Sequence, residues 1–149
     1  MRETPETVES SNVGIVRSVY GFNWAATGGR EDGLGKMAAV VAPDFEARLS
    51  PETGGRTVTG IEDLRQFGYA LEQDFAELVY DGQEFRELPD GRVMVLGRIR
   101  GRGRQSHLPL EGEFGHVWTL SEGHPSRIVA FLDHARALEA AGLTGEGRA

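Results

Sequence analysis

Between Leu78 and Asp133 the chain offers four strand-like stretches in succession, approximately Leu78–Leu88, Arg92–Arg102, Leu110–Leu120 and Arg127–Asp133. Two of the joints, "PDG" and "SEG", carry the residues that tight hairpin turns demand. This run constrains the fold more than any other feature. A parallel pair needs a crossover of a dozen or more residues, so strands joined this closely must lie antiparallel. A meander of four long strands, and with it an antiparallel sheet, is the expected centre of the fold.

The residues before it read as helices. Thr4-Pro5-Glu6 suits a helix start, with Thr4 as N-cap and Pro5 in the first turn, where its missing N–H costs nothing. Val8, Ile15, Val16, Val19, Tyr20, Phe22 and Trp24 then form a broad apolar face, and "TGGREDG" breaks it. A second, short helix carries Leu34, Met37 and Val41 and stops at Pro43, which cannot continue the hydrogen-bond ladder. "FEARLS" alternates as a first strand, and "PETGG" turns the chain. Thr59 and Glu62 predict a capping box for a third helix with the face Ile61, Leu64, Phe67, Leu71 and Phe75. A last helix, "HARALEAA", closes on Gly142, and "TGEGRA" is a short polar tail. The order predicts an α+β domain with helices on one face of a curled antiparallel sheet.

At 149 residues the chain fits a single domain with a continuous core. It has no cysteine, hence no disulfide, no thiolate nucleophile and no Cys-ligated zinc, and its four histidines lack a close-spaced ligand motif. Neither a metal nor another cofactor is expected. The polar, acidic start "MRETPETVES" and the lack of any apolar run near the ~18 residues of a membrane span predict a cytoplasmic protein without a membrane partner. A formal net charge of −7 opposes a nucleic-acid partner. The local exception is "GRIRGRGRQ", where Arg98, Arg100, Arg102 and Arg104 recur at every second residue. With no interleaved aromatics it reads as a solvated strand face, with Val93, Val95 and Ile99 turned inward.

The stretch with chemical content is "FGHVWTLSEGHPSRIVAFLDHARAL". Strand alternation puts His116, Trp118 and Leu120 on one face and Val129, Phe131 and Asp133 on one face of the next strand. If the two faces coincide, two ionisable groups look into an apolar space. An aspartate there, its pKa raised by burial, could exchange a proton with an acidified carbon, and a histidine could donate to a developing oxyanion. The alternatives stay open: Asp133 directly precedes a helix and so also suits its N-cap, while His116 also suits a core histidine bonded to the backbone. Phe114, Trp118 and Phe131 read as wall or core. His107 and His124 fall in turns, and Glu46 with Arg48 forms either an exposed pair or a polar part of the interior.

The stretches "VYGFN", "VAPDFEARLSP", "VTGIEDLRQF", "GHVWTLSEG" and "FLDHARALEAAGL" occur in an order that resembles SnoaL-like polyketide cyclase domains, of the nuclear transport factor 2-like superfamily. The resemblance spans about Val13 to Leu143, so one SnoaL-like domain covers 1–149 with short polar tails. It implies a cone-shaped, cystatin-like α+β barrel, with about three helices over the concave face and an interior pocket for a small hydrophobic molecule. It also implies a homodimer through the sheet, and a curled sheet covered by helices on one side leaves its other face partly apolar, with Met94 and Leu96 available for burial. By the same resemblance Asp133 and His116 are the candidate catalytic pair, and Tyr20, Trp24, Phe114, Trp118, Val129 and Phe131 the candidate ligand-binding residues.

Fold alone does not fix the chemistry. Similar steroid isomerases carry a carboxylate base near the position of Ser50, where a hydroxyl cannot serve at neutral pH. Epoxide hydrolases of this fold use Arg-x-Asp on an inner strand, and Arg98-Ile99-Arg100 supplies no aspartate. Three functions compete: an acid/base lyase, cyclase or isomerase; a non-catalytic binder of an apolar metabolite; and a dimerisation module with a collapsed interior.

Overall fold

A computed structural model describes residues 11–20, 29–50 and 55–143. The elements are α1 (Ser11–Arg17), α2 (Gly29–Val40), β1 (Glu46–Arg48), β2 (Thr57–Thr59), α3 (Gly60–Asp74), β3 (Phe75–Glu87), β4 (Val93–Gly103), β5 (Pro109–Ser121), β6 (His124–Phe131) and α4 (His134–Ala140). The predicted start at Thr4 and the candidates Phe22 and Trp24 lie outside the described residues.

The meander forms as its turns dictate. Asp90 holds the β3–β4 turn through the Arg92 backbone N–H at 3.2 Å and the Arg92 guanidinium at 2.8 Å, while Gly91 supplies a φ of 93°. Glu122 and Gly123 join β5 to β6 with φ of 53° and 81°. Two successive positive φ values match the strand twist of a two-residue hairpin. Register breaks at Phe75/Glu77 and Gly82/Glu84 against β4, and at Thr119/Leu120 against β6, mark bulges. Bulges bend a strand and increase its twist, which curls the sheet.

The six strands stand in the order β2-β1-β6-β5-β4-β3. Two expectations are corrected here. The sheet is mixed, because β1 lies parallel to β6; no hairpin joins these strands, so none forces them antiparallel. Helices also cover both faces. Val13 and Val16 of α1, Leu34 and Met37 of α2 and Leu64 of α3 share one core with Val93, Val95, Ile99, Phe114, Trp118 and Ile128. Ala137 of α4 packs in a second core with Leu88, Met94, Leu96 and Val117. Gly115 permits this, since a Cβ on it would run into the Ala137 methyl group. Met94 and Leu96, expected to be available for a partner, are thus buried within the chain at 0% and 8% exposure.

Local details also differ from expectation. Thr59 belongs to β2 and its hydroxyl caps nothing; Asp63, not Glu62, reaches back, accepting from the Thr59 N–H at 2.9 Å. Phe75 begins β3 rather than ending α3, and Tyr20 follows the turn after α1. The architecture is the expected α+β cone, a curved and unclosed sheet with α1–α3 inside it.

Candidate functional site

Between the concave face of the sheet and the helices lies a cavity of about 110 Å³. Val19, Met37, Phe45, Ala47, Leu49, Leu64, Phe67, Leu71, Ile128 and Ala130 give it apolar walls, and Tyr20, Tyr80, His116 and Trp118 bring its polar atoms. No Asp, Glu, Lys or Arg is among these residues. Pairing explains who faces inward, because residues directly opposite on antiparallel strands share a face. Val93 stands opposite Trp118 and Val95 opposite His116, while Ala130 stands opposite His116 and Ile128 opposite Trp118.

The same register places the other candidates outside. Phe131 lies opposite Gly115 and Val129 opposite Val117, and Phe131 packs in the outer core beside α4. Asp133 is the N-cap of α4: its carboxylate accepts from the Arg136 N–H at 2.7 Å and lies 3.7 Å from the Arg136 guanidinium, with 41% of the side chain exposed. His116 and Asp133 therefore do not share the cavity. The cause is one residue. Ser121 faces His124 and Leu120 faces Pro125, but Thr119 faces Arg127, leaving Ser126 unpaired as a bulge. Without that bulge His116 would stand opposite Val129 and Phe114 opposite Phe131, the grouping that plain alternation predicts. A slip of one residue turns every later side chain to the other face.

Tyr20, which the sequence suggested, is the hub of the interior. Trp118 Nε1–H donates to the Tyr20 hydroxyl oxygen at 2.8 Å, and the same oxygen lies 2.6 Å from His116 Nδ1. Its ring stands edge-on to Phe85 with centroids 5.5 Å apart, and the Phe114 ring lies 4.6 Å from the His116 imidazole, tilted by 43°. Phe114 is fully buried and supports the site from the side. Tyr80 was missed by the sequence reading. It lies opposite Ile99 on β3, its ring 5.7 Å from His116, and alternation with Leu78 was the available signal only once the inner face of β3 was known.

Burial sets the protonation states. Desolvation holds His116 at about 3, far below the ordinary 6.5, so the imidazole is neutral at physiological pH. The same cause raises Tyr80 to about 12 and pushes Tyr20 up further, despite the Trp118 hydrogen bond. Among the described residues no buried side-chain nitrogen or oxygen lacks a hydrogen-bond partner, and no group of three or more His, Asp or Glu could hold a metal. No helix there is long and apolar enough to cross a membrane.

The arginine stripe faces outward on β4. Arg98 lies between Asp81 and Glu113, Arg100 between Val79 and Glu111, and Arg102 between Glu77 and Pro109, with Arg100 bonded to Glu77 at 3.2 Å. Arg104 instead donates to the Glu72 and Phe75 carbonyls at the end of α3. Glu46 pairs outward with Arg48 and Arg127 at 3.1 and 3.2 Å, leaving Ala47 to face the cavity.

No protein-family model matches the chain, and no curated protein matches it. Solved structures do. An NTF2-like protein of unknown function from Burkholderia pseudomallei is 24% identical, with 88% of this chain and 97% of that chain covered and a TM-score of 0.68. A protein named for the SnoaL-like polyketide cyclases, from Jannaschia sp. CCS1, is 21% identical over 96% and 95% of the two chains, again with a TM-score of 0.68. TerC, co-crystallised with polyporic acid, is 21% identical over 89% and 99%, with a TM-score of 0.69. The chain has a nuclear transport factor 2-like fold.

Two outcomes follow for the proposed pair. Asp133→Ala is expected to lower stability by about 1 kcal/mol, and Asp133→Asn to preserve it, because asparagine caps as well as aspartate; ligand affinity should be unchanged in both. Urea unfolding alongside ligand titration checks this, and lost affinity at unchanged stability would return Asp133 to the cavity.

For His116 the sign is set by a depressed pKa. Between about pH 3 and 6.5 the unfolded chain binds the proton and the folded chain does not, so this stability is complete above the ordinary value and is lost as pH falls. From pH 6 to 4 the stability advantage of the wild type over His116→Gln should shrink by about 1.4 kcal/mol per pH unit. Parallel stability curves for the two proteins would contradict the assignment.

Proposed function

We propose that this protein binds a small, uncharged, mainly apolar ring compound inside the cone, and that it does so without carboxylate acid/base chemistry. The observation that carries this reading is the cavity lining: apolar walls, a neutral histidine and, among the described residues, no carboxylate. A buried charge on the ligand would meet no opposite charge and would cost several kcal/mol. An uncharged ring meets Trp118, Phe45 and Phe67 instead. An apolar cavity of comparable size, about 150 Å³, stays dry and takes up benzene. TerC, which has a similar fold, was co-crystallised with polyporic acid, which is in keeping with a small-molecule role.

The acid/base lyase, cyclase or isomerase reading takes second place. It needs a base beside His116, and the nearest candidate, Asp133, caps a helix on the outer face. A dimerisation module with a collapsed interior predicts no cavity and ranks third. The outer arginines, matched by facing carboxylates, offer nucleic acid a charge-balanced surface rather than a cationic stripe. A homodimer through that face remains part of the proposal, its contact made by this charged ladder because α4 covers Met94 and Leu96.

Toluene is a suitable first probe. Ligand that binds only the folded state stabilises by about 2.7 kcal/mol at a hundredfold excess over Kd, so toluene should raise the melting temperature of the wild type. Ala130→Phe fills the cavity from its sheet wall and should remove the effect. An unchanged melting temperature in toluene-saturated buffer would count against the cavity as a binding site.

A further inference from the structure

The polar atoms inside the cone form a chain whose proton positions are fixed by chemistry. The Trp118 indole nitrogen can only donate, so at 2.8 Å it occupies a lone pair of the Tyr20 oxygen. The single Tyr20 hydroxyl proton is then free to go to His116 Nδ1, 2.6 Å away. If Nδ1 carried a proton instead, the Tyr20 hydroxyl would accept twice and its own proton would find no acceptor among the described residues. Which nitrogen of a neutral imidazole carries the proton is set by the bond the other nitrogen makes. With Nδ1 accepting, the proton sits on Nε2.

Nε2 has no protein partner among the described residues, and His116 lines the cavity. The Tyr80 hydroxyl is in the same condition: it lines the cavity, stands on the ring next to His116 and has no partner among the described residues. Because no fully enclosed side-chain nitrogen or oxygen among the described residues lacks a partner, these two donors are not sealed in protein: they open onto the cavity, in apolar walls and with no acceptor among the described residues. A donor left unpaired on binding is penalised, whereas an acceptor oxygen placed between the two is rewarded.

We propose that the cavity selects a ring compound bearing a carbonyl oxygen, which accepts from His116 Nε2–H and the Tyr80 hydroxyl, and that Tyr20 is the positioning residue that makes His116 a donor. The inference rests on the reading of the cavity as a ligand site. It excludes amines, whose ammonium form finds no anion, and carboxylates, which find no cation. Tyr20 acts through His116, with its hydroxyl committed to Trp118 and Nδ1.

The test uses the full chain in two arms. In the first, the ring nitrogens of 15N-labelled His116 are assigned by long-range 15N–1H correlation without any ligand. A protonated Nε2 and an unprotonated Nδ1 are expected in the wild type, and Tyr20→Phe should release the ring to a mixture of tautomers. A proton on Nδ1 in the wild type would overturn the inference. In the second arm, acetophenone is compared with 2-phenylpropene, which keeps a trigonal side-chain carbon and carries a methylene in place of the oxygen. The ketone is expected to bind about tenfold more tightly. Tyr20→Phe should reduce that ratio to about twofold with little change for the hydrocarbon. Equal affinities in the wild type overturn this inference and leave the binding-site reading intact, whereas binding of neither compound overturns both.

Discussion

The unpaired Ser126 in β6 decides what the interior of this protein contains. It separates the tight Glu122–Gly123 hairpin from the long pairing of β5 with β6 and shifts that pairing by one residue. Because strand side chains alternate with period two, the shift sends Ile128 and Ala130 to the cavity and sends Val129, Phe131 and the approach to Asp133 to the outer face. The outer face can accept them because Gly115 leaves room for Ala137 and so for the whole of α4. A carboxylate that plain alternation would pair with His116 instead ends its strand as a helix cap.

Among the described residues the polar part of the resulting interior is one hydrogen-bonded chain and the Tyr80 hydroxyl beside it. Trp118, Tyr20 and His116 are joined by bonds of 2.8 and 2.6 Å within aromatic packing from Phe85, Phe114 and Tyr80. Bonded to one another in this way, the groups can stay buried and neutral, while an ionised imidazole in the same place would lack a counter-charge among the described residues. Among the described residues no carboxylate lines the cavity to abstract a proton. Ser50 is buried but absent from the cavity wall, and Arg98 and Arg100 point away from it, opposite Glu113 and Glu111. Recognition of an uncharged molecule is the task this surface fits.

Most of the fold was legible because it depends on local rules. "PDG" and "SEG" carry turn chemistry, the third helix keeps a periodic face, and the order of elements follows from both. The family resemblance extended this to the cone. Tyr20, His116 and Trp118 were legible as interior residues for the same reason: each sits at a position that periodicity assigns. What escaped depends on long-range register. Neither the parallel contact of β1 with β6 nor the bulge at Ser126 has a signal in the chain around it, and the bulge alone reversed the assignment of Val129, Phe131 and Asp133. Tyr80 escaped likewise, because its face depends on how β3 meets β4. The outer position of α4 needed knowledge of the space above Gly115, which only the packed sheet provides.

The central claim is that His116 is a neutral donor buried in an apolar cavity, with no carboxylate beside it among the described residues. An NMR titration of its ring carbon shifts tests this most directly, since an unperturbed histidine changes charge between about pH 5 and 8. The account predicts no titration of His116 across that range, consistent with a value held at about 3. A His116 midpoint at or above the ordinary 6.5 would reveal water or an acidic partner at the imidazole and would contradict the account.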